Sequence, residues 1–161
     1  MGKLPKQMRV ETVAAAPLDA VWKIVHDPTR TGEWSHEAKR VEWIDGAVTA
    51  GPGARFRGRN EQGRNKWSRT CEVVSAQPYT FVWRTISGRG LYSDSTTWTI
   101  ALEPDGEHTR IVQSYEVTKL NPFLDWLFFV LVPAHRDRTD ALRQDMERLG
   151  ALAARESGVV P

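Results

Sequence analysis

The sequence predicts an α+β fold in which a seven-stranded antiparallel sheet curls around one long C-terminal helix, with two short helices between the first and second strands. Three observations carry this. A valine-rich segment near the N-terminus is followed at once by a short helical repeat. From residue 38 to 119, six segments of strand-like alternation succeed one another across short, turn-rich links. From Ala134 to Glu156 only Gly150 interrupts a run of good helix formers. Strands joined by links this short form an antiparallel meander, and a sheet with one apolar face must bury that face. The C-terminal helix alone is long enough and carries a matching stripe.

"MRVETVAA" reads as a first strand over 8–14. In "APLDAVWKIVHDP", Pro17 suits a first helical turn and Asp19 lies near the positive end of the helix dipole. Leu18, Val21, Trp22 and Val25 then share one helical face until Asp27-Pro28 ends it. "TRTGEW" adds a second short helix or turn around Trp34. The strands that follow are "KRVEWID", "ARFRGRNE", "KWSRTCEVVSA", "YTFVWRTIS", "YSDSTTWTIALE" and "HTRIVQSYEVTK". In the last third, Leu142, Met146, Leu149 and Ala153 make a stripe that extends back through Thr139, His135, Leu131, Phe128 and Leu124. One helix kinked at Pro133 is therefore expected. The 161 residues fit one domain over 1–161, with a frayed tail at 157–161.

Composition narrows the function. Hydrophobic residues make 40% of the chain and charged residues 26%, the balance of a soluble globular protein. A formal charge of +2 does not point to nucleic acid. Cys71 is the single cysteine, which excludes an internal disulfide and a cysteine metal cluster and suits a reducing, cytoplasmic home. "MGKLPKQMRVETV" holds no apolar run of the kind a secretory signal needs, and Lys6 stands where a myristoylation signal wants Ser or Thr. In "FLDWLFFVLV", residues 123–132, Asp125 is the one polar residue. A spanning helix needs about 20 apolar residues, so membrane contact is expected to be transient at most. Seven tryptophans suggest a broad apolar interior or a ring-lined pocket.

The element order resembles the helix-grip fold of the START / Bet v 1-like (SRPBCC) superfamily, of the polyketide cyclase/dehydrase and lipid-transport type. Its carriers are "AAPLDAVWKIVHDPTRTGEWS", "GPGARFRGRN", "CEVVSAQPYTFVWR", "STTWTIALEPDGEHTRIVQSYEV" and "PAHRDRTDALRQDMERL", which together cover nearly the whole chain. Each is a structural signature and none is a catalytic motif. The resemblance implies a deep hydrophobic cavity between the sheet and the long helix. It implies a small hydrophobic ligand such as a lipid, fatty acid or polyketide, and in a minority of members catalysis.

Strand alternation decides which side chains would face such a cavity. Phe56, Gly58 and Asn60 share one face, with Arg55, Arg57 and Arg59 on the other. The same rule groups Val41 with Trp43; Trp67, Arg69 and Cys71 with Val73; and Phe81 and Trp83 with Thr85. It also groups Trp98 and Ile100 with Leu102, and Ile111, Gln113 and Tyr115 with Val117. The expected lining is Trp43, Phe56, Asn60, Trp67, Arg69, Phe81, Trp83, Thr85, Trp98, Gln113 and Tyr115, joined by Phe128, Leu131 and His135 from the C-terminal helix. Most of these rings also read as ordinary core. Arg69, a charge on an apolar face, must pair inside the protein, reach water at a strand end, or meet a ligand carboxylate.

His135 is the one weak candidate for a catalytic base. The competing reading bonds it to a backbone carbonyl freed by Pro133. His26 and His36 flank the helix pair where a cavity mouth would lie, His108 falls in a hairpin turn, and the four histidines lack metal-ligand spacing. Cys71 reads as an inert apolar residue. The basic strand, with Arg55, Arg57, Arg59, Arg64, Lys66 and Arg69 against Glu61, reads as a solvated face. Within residues 123–132, Leu124, Phe128 and Leu131 point toward the cavity. Trp126, Phe129, Val130 and Val132 are left to pack on the helix pair, to meet a second subunit in a homodimer, or to touch a membrane.

The reading is a carrier or sensor that needs no cofactor and no metal and does not bind nucleic acid. The alternative is a polyketide aromatase/cyclase or dehydratase using the same cavity. A third possibility is an interaction module with a vestigial cavity.

Overall fold

The computed structural model describes residues 3–86, 88, 90 and 93–158. Strand β1 (Gln7–Ala14) leads into helix α1 (Leu18–Val25) and a 3-10 turn (Pro28–Glu33). Strands β2 (Ala38–Ile44), β3 (Arg55–Gln62), β4 (Asn65–Gln77), β5 (Thr80–Thr85), β6 (Asp94–Asp105) and β7 (His108–Leu120) follow. Helix α2 (Pro122–Leu131), a 3-10 turn (Pro133–His135) and helix α3 (Thr139–Glu156) close the chain. The strands form one antiparallel sheet in the order β1-β7-β6-β5-β4-β3-β2. Irregularities at Ala38/Arg40, Val73/Ser75 and Ser95/Thr96 add local bend and twist to this long meander. The result is the expected α+β helix-grip arrangement, with the curved sheet against the C-terminal helix. The expected end of the fifth strand at residue 87, the start of the sixth at 92, and residues 1–2 lie outside the described residues. So do tail residues 159–161, whereas Ser157 still donates its backbone N–H to the Ala153 carbonyl at 2.9 Å.

The C-terminal region differs from the single kinked helix read from the sequence. Pro133 has no N–H to give the Phe129 carbonyl four residues back, and Arg136 Nε takes that carbonyl at 2.7 Å. The chain turns through Pro133–His135, and Asp137 then accepts the Thr139 N–H at 3.0 Å as α3 begins. His135 therefore lies in the turn between two helices, off the stripe of α3.

Helix α3 lays Leu142, Met146, Leu149, Ala153 and Ala154 on β1 and α1. Gly150 makes this close packing possible, since a Cβ there would stand 2.8 Å from the Ala14 Cβ. Helix α2 starts on Pro122 behind Asn121, whose side chain accepts the Phe123 N–H at 2.8 Å. Its buried Asp125 accepts from the Leu4 N–H at 2.8 Å and from Lys6 Nζ at 2.7 Å, fastening α2 to the N-terminal segment. Burial alone would raise the Asp125 carboxyl, but these partners outweigh it and hold it below the usual carboxylate range. Among the described residues no helix is long and apolar enough to cross a membrane.

Candidate functional site: a ring-lined cavity with a charged end

Helix α3 covers the β1 side of the concave sheet face. A cavity of about 520 Å³ remains between that face, the 3-10 turn after α1, and the segment from α2 to the start of α3. Of the residues expected to line it, Phe56, Asn60, Trp67, Arg69, Phe81, Trp83, Thr85, Trp98, Gln113, Tyr115, Phe128, Leu131 and His135 do so. Trp43 does not. It sits on the edge strand β2 with its ring edge-on to Phe56 at 6.0 Å, filling space beside that ring.

The floor is a strip of rings running across three strands. Strand pairing sets Trp83 opposite Trp98 and Trp98 opposite Tyr115. The rings follow: Phe81 to Trp83 at 5.5 Å, Trp83 to Trp98 stacked at 6.0 Å and 7°, and Trp98 to Tyr115 at 4.9 Å. Cys71 shares the wall, and burial pushes its thiol up to about 12, so it stays protonated and inert.

Several polar groups of the wall are already committed. Arg69 makes two hydrogen bonds to Asp94, at 3.0 and 2.7 Å, which settles its charge inside the protein. Thr85 Oγ1 accepts the Thr96 N–H at 2.8 Å, beside the irregularity in β6. Other groups are uncommitted. Trp34 Nε1, Gln113 Oε1 and Arg138 Nε are buried in the lining with no hydrogen-bond partner among the described residues.

One end of the cavity holds a charged network. His135 Nε2 meets Glu37 Oε1 at 2.5 Å, and Arg138 donates to Glu37 Oε2 at 3.0 Å. Asp145, 1% exposed, accepts from the His36 backbone N–H at 2.9 Å. The His36 ring meets the same carboxylate through Nδ1 at 2.7 Å, and Arg148 donates to it as well. The Arg138 guanidinium also lies over Trp98 at 5.2 Å and Tyr115 at 5.8 Å. Burial alone would raise the Glu37 carboxyl. Hydrogen bonds from His135 and His36 and the charge of Arg138 outweigh it and hold Glu37 well below the usual carboxylate range. Hydrogen bonding to Asp145, then to Glu37, lifts His36 to about 9.

The partner expected for His135, a carbonyl freed by Pro133, is corrected: Arg136 takes that carbonyl and His135 turns to Glu37. Sequence reasoning missed Glu37, Asp94, Arg138, Asp145 and Trp34. Asp145 did leave a signal, a carboxylate three residues after Leu142 and four before Leu149 on the buried stripe. His36 lines the cavity, whereas His26 stacks on Trp22 at 5.5 Å and His108 is exposed at the start of β7. Among the described residues, no group of three or more His, Cys, Asp and Glu is arranged to hold a metal ion. Arg55, Arg57 and Arg59 lie exposed on the outer face, where Arg55 meets Glu72 at 3.2 Å. In α2, Phe128 and Leu131 face the cavity as read, but Leu124 is buried elsewhere and Val132, expected to be left over, lines it.

Comparison with known proteins agrees with this architecture. Residues 6–154 match the family model described as polyketide cyclase / dehydrase and lipid transport. Among solved structures the chain is similar to TTHA0849 from Thermus thermophilus, with a TM-score of 0.68, 18% identity, and 94% of this chain and 99% of that one covered. It is similar to Zhui aromatase/cyclase from Streptomyces sp. R1128, with a TM-score of 0.68, 15% identity, and 93% and 94% covered. It is also similar to ginseng major latex-like protein 151 from Panax ginseng, with a TM-score of 0.65, 12% identity, and 93% and 97% covered. The search of curated proteins gives no match. Identities this low speak for the fold alone. The family match spans almost the whole chain, and the protein belongs to the polyketide cyclase / dehydrase and lipid transport family.

Proposed function

We propose that the protein binds a small hydrophobic ligand bearing at least one uncharged oxygen function in this cavity, as a carrier or sensor. The observation that carries the reading is a ring-lined cavity of about 520 Å³ whose wall contains three buried polar atoms without partners among the described residues. That volume falls in the ordinary range of ligand pockets. Each 100 Å² of apolar ligand surface buried on the ring strip contributes about 2.5 kcal/mol. The orphaned atoms set the polar requirement. Trp34 Nε1 and Arg138 Nε can only donate and so call for a carbonyl or hydroxyl oxygen; Gln113 Oε1 calls for a hydroxyl. Leaving each unsatisfied costs about 1–3 kcal/mol. A carboxylate is disfavoured, because Glu37 and Asp94 already neutralise Arg138 and Arg69.

The test is displacement of a fluorescent apolar probe by 2-naphthol and by naphthalene. The reading expects 2-naphthol to bind roughly tenfold tighter, the worth of one or two added hydrogen bonds. Failure of both to bind would remove it.

A second reading, a polyketide aromatase/cyclase or dehydratase, is favoured by one observation: the imidazole of His135 held on Glu37 at 2.5 Å in the cavity wall. An imidazole oriented by a carboxylate can move a proton. The similarity to an aromatase/cyclase from Streptomyces is in keeping with it. Under this reading His135→Gln abolishes turnover of a poly-β-ketone while probe affinity stays within about twofold. Under the carrier reading there is no turnover to lose.

A further inference from the structure

We infer that the outer face of α2 is a docking surface for an anionic lipid membrane. This helix has its polarity reversed. Its single charged residue, Asp125, points inward and is buried on Leu4 and Lys6, while several of its large apolar side chains are exposed. Phe123, Trp126 and Val130, at positions i, i+3 and i+7, are 54%, 39% and 45% exposed, and Leu131 beside them is 56% exposed. The other large apolar residues exposed among those described are single valines on separate elements, Val13, Val48 and Val74. Scattered valines need no explanation, but four large side chains gathered on one short helix do. The helix is held in this orientation at both ends, by Asp125 on the N-terminal segment and by Arg136 Nε on the Phe129 carbonyl.

Charge identifies what covers the face. Lys6 sits on Asp125, and Lys119 lies just ahead of the helix. Arg136 lies over the Phe129 ring at 4.5 Å. At the other end the Asn65 amide reaches the Leu131 carbonyl at 3.3 Å, which brings the exposed flanking residues Arg64 and Lys66 to the rim. The acids of this region are Asp125, buried in its pair; Asp94, paired with Arg69; Glu61, 3.4 Å from Lys66; Glu116 of β7, opposite Gln7; and Asp137. An apolar helix face ringed by cations suits the boundary between acyl chains and anionic headgroups. A symmetric homodimer through the same face would set this basic rim against itself.

Phe128, Leu131 and Val132 of this region also line the cavity, as do Asn65, Lys66 and Trp67. Docking would set the cavity mouth on the lipid, so that an apolar ligand passes without crossing water. That consequence rests on the ligand-binding reading; the docking itself does not.

The test is co-sedimentation of the full chain with vesicles of phosphatidylcholine alone or mixed with phosphatidylglycerol. Binding is expected to the mixed vesicles and not to the neutral ones, and to weaken with salt. Each basic residue near an anionic surface strengthens binding by roughly fivefold. The pair Arg64→Glu and Lys119→Glu should therefore lose at least tenfold, as should the pair Phe123→Glu and Trp126→Glu. All four side chains are exposed, so the variants should keep the wild-type melting temperature and the wild-type affinity for a soluble apolar probe. No sedimentation, or equal sedimentation with both vesicle types, overturns the inference while leaving the cavity reading intact. A dimer in size-exclusion chromatography that Trp126→Glu dissolves also overturns it and assigns the face to a second copy of the chain. Vesicle binding without probe binding would instead sink the cavity reading alone.

Discussion

Asp145→Asn is the perturbation that most directly probes the charged end of the cavity. Asp145 is 1% exposed and accepts two hydrogen bonds from His36, one from the backbone at 2.9 Å and one from the ring at 2.7 Å. Bonding of the ring to this carboxylate is the main reason His36 is lifted from 6.5 to about 9. A rise of that size corresponds to about 3 kcal/mol of stabilisation. The ring is one-fifth exposed, and solvent screening brings the expected figure to about 2 kcal/mol. The sign follows from linkage. The folded value lies above the unfolded one, so the contribution is complete below pH 6.5 and is lost as pH rises through about 9. Urea denaturation followed by tryptophan fluorescence, repeated from about pH 6 to 9.5, should therefore show two things. At the acid end the variant is about 2 kcal/mol less stable than wild type; toward the alkaline end the gap narrows. Taking the difference between the two proteins removes ionisation of Cys71 in the unfolded chain. Parallel pH profiles, or a gap under about 0.5 kcal/mol at pH 6, would refute the reasoning.

Other perturbations test other parts of the structure. Gly150→Ala would ordinarily gain about 1 kcal/mol of helix propensity. Here the new methyl would meet the Ala14 Cβ at 2.8 Å, so a net loss of about 1–3 kcal/mol is expected by thermal or urea denaturation. Arg69→Ala strands Asp94 in the cavity wall and should destabilise by about 3 kcal/mol, with Asp94→Ala in the same chain recovering most of it. Trp98→Leu breaks the ring strip at its centre and should weaken binding of an apolar probe about tenfold while the chain still folds cooperatively.

The sheet was legible in the sequence because alternation is fixed by backbone geometry. Once one apolar residue marks the inward face of a strand, its neighbours two residues away follow, and so Phe81, Trp83 and Thr85 fall together without knowledge of the rest. Trp43 shows the limit of that rule. Alternation gives the face but not how far along a strand the cavity extends: Val41 of β2 lines it, and Trp43, two residues on along the same face, does not. The charged network was illegible for another reason. His135 and Glu37 are 98 residues apart and His36 and Asp145 are 109 apart, so only the closed fold brings them together. The break in the C-terminal helix was half legible: Pro133 announced it, but the capture of the freed carbonyl by Arg136, and hence the release of His135 toward Glu37, depends on side-chain geometry.

The central claim is that the cavity takes a small oxygen-bearing apolar ligand. Native mass spectrometry of the purified protein, with organic extraction and identification of any bound compound, tests it most directly. The account expects an added mass that survives gentle ionisation, disappears on extraction, and belongs to an apolar molecule carrying a hydroxyl or carbonyl group. A clean unliganded mass that stays unchanged on incubation with fatty alcohols, sterols and flavonoids would contradict it.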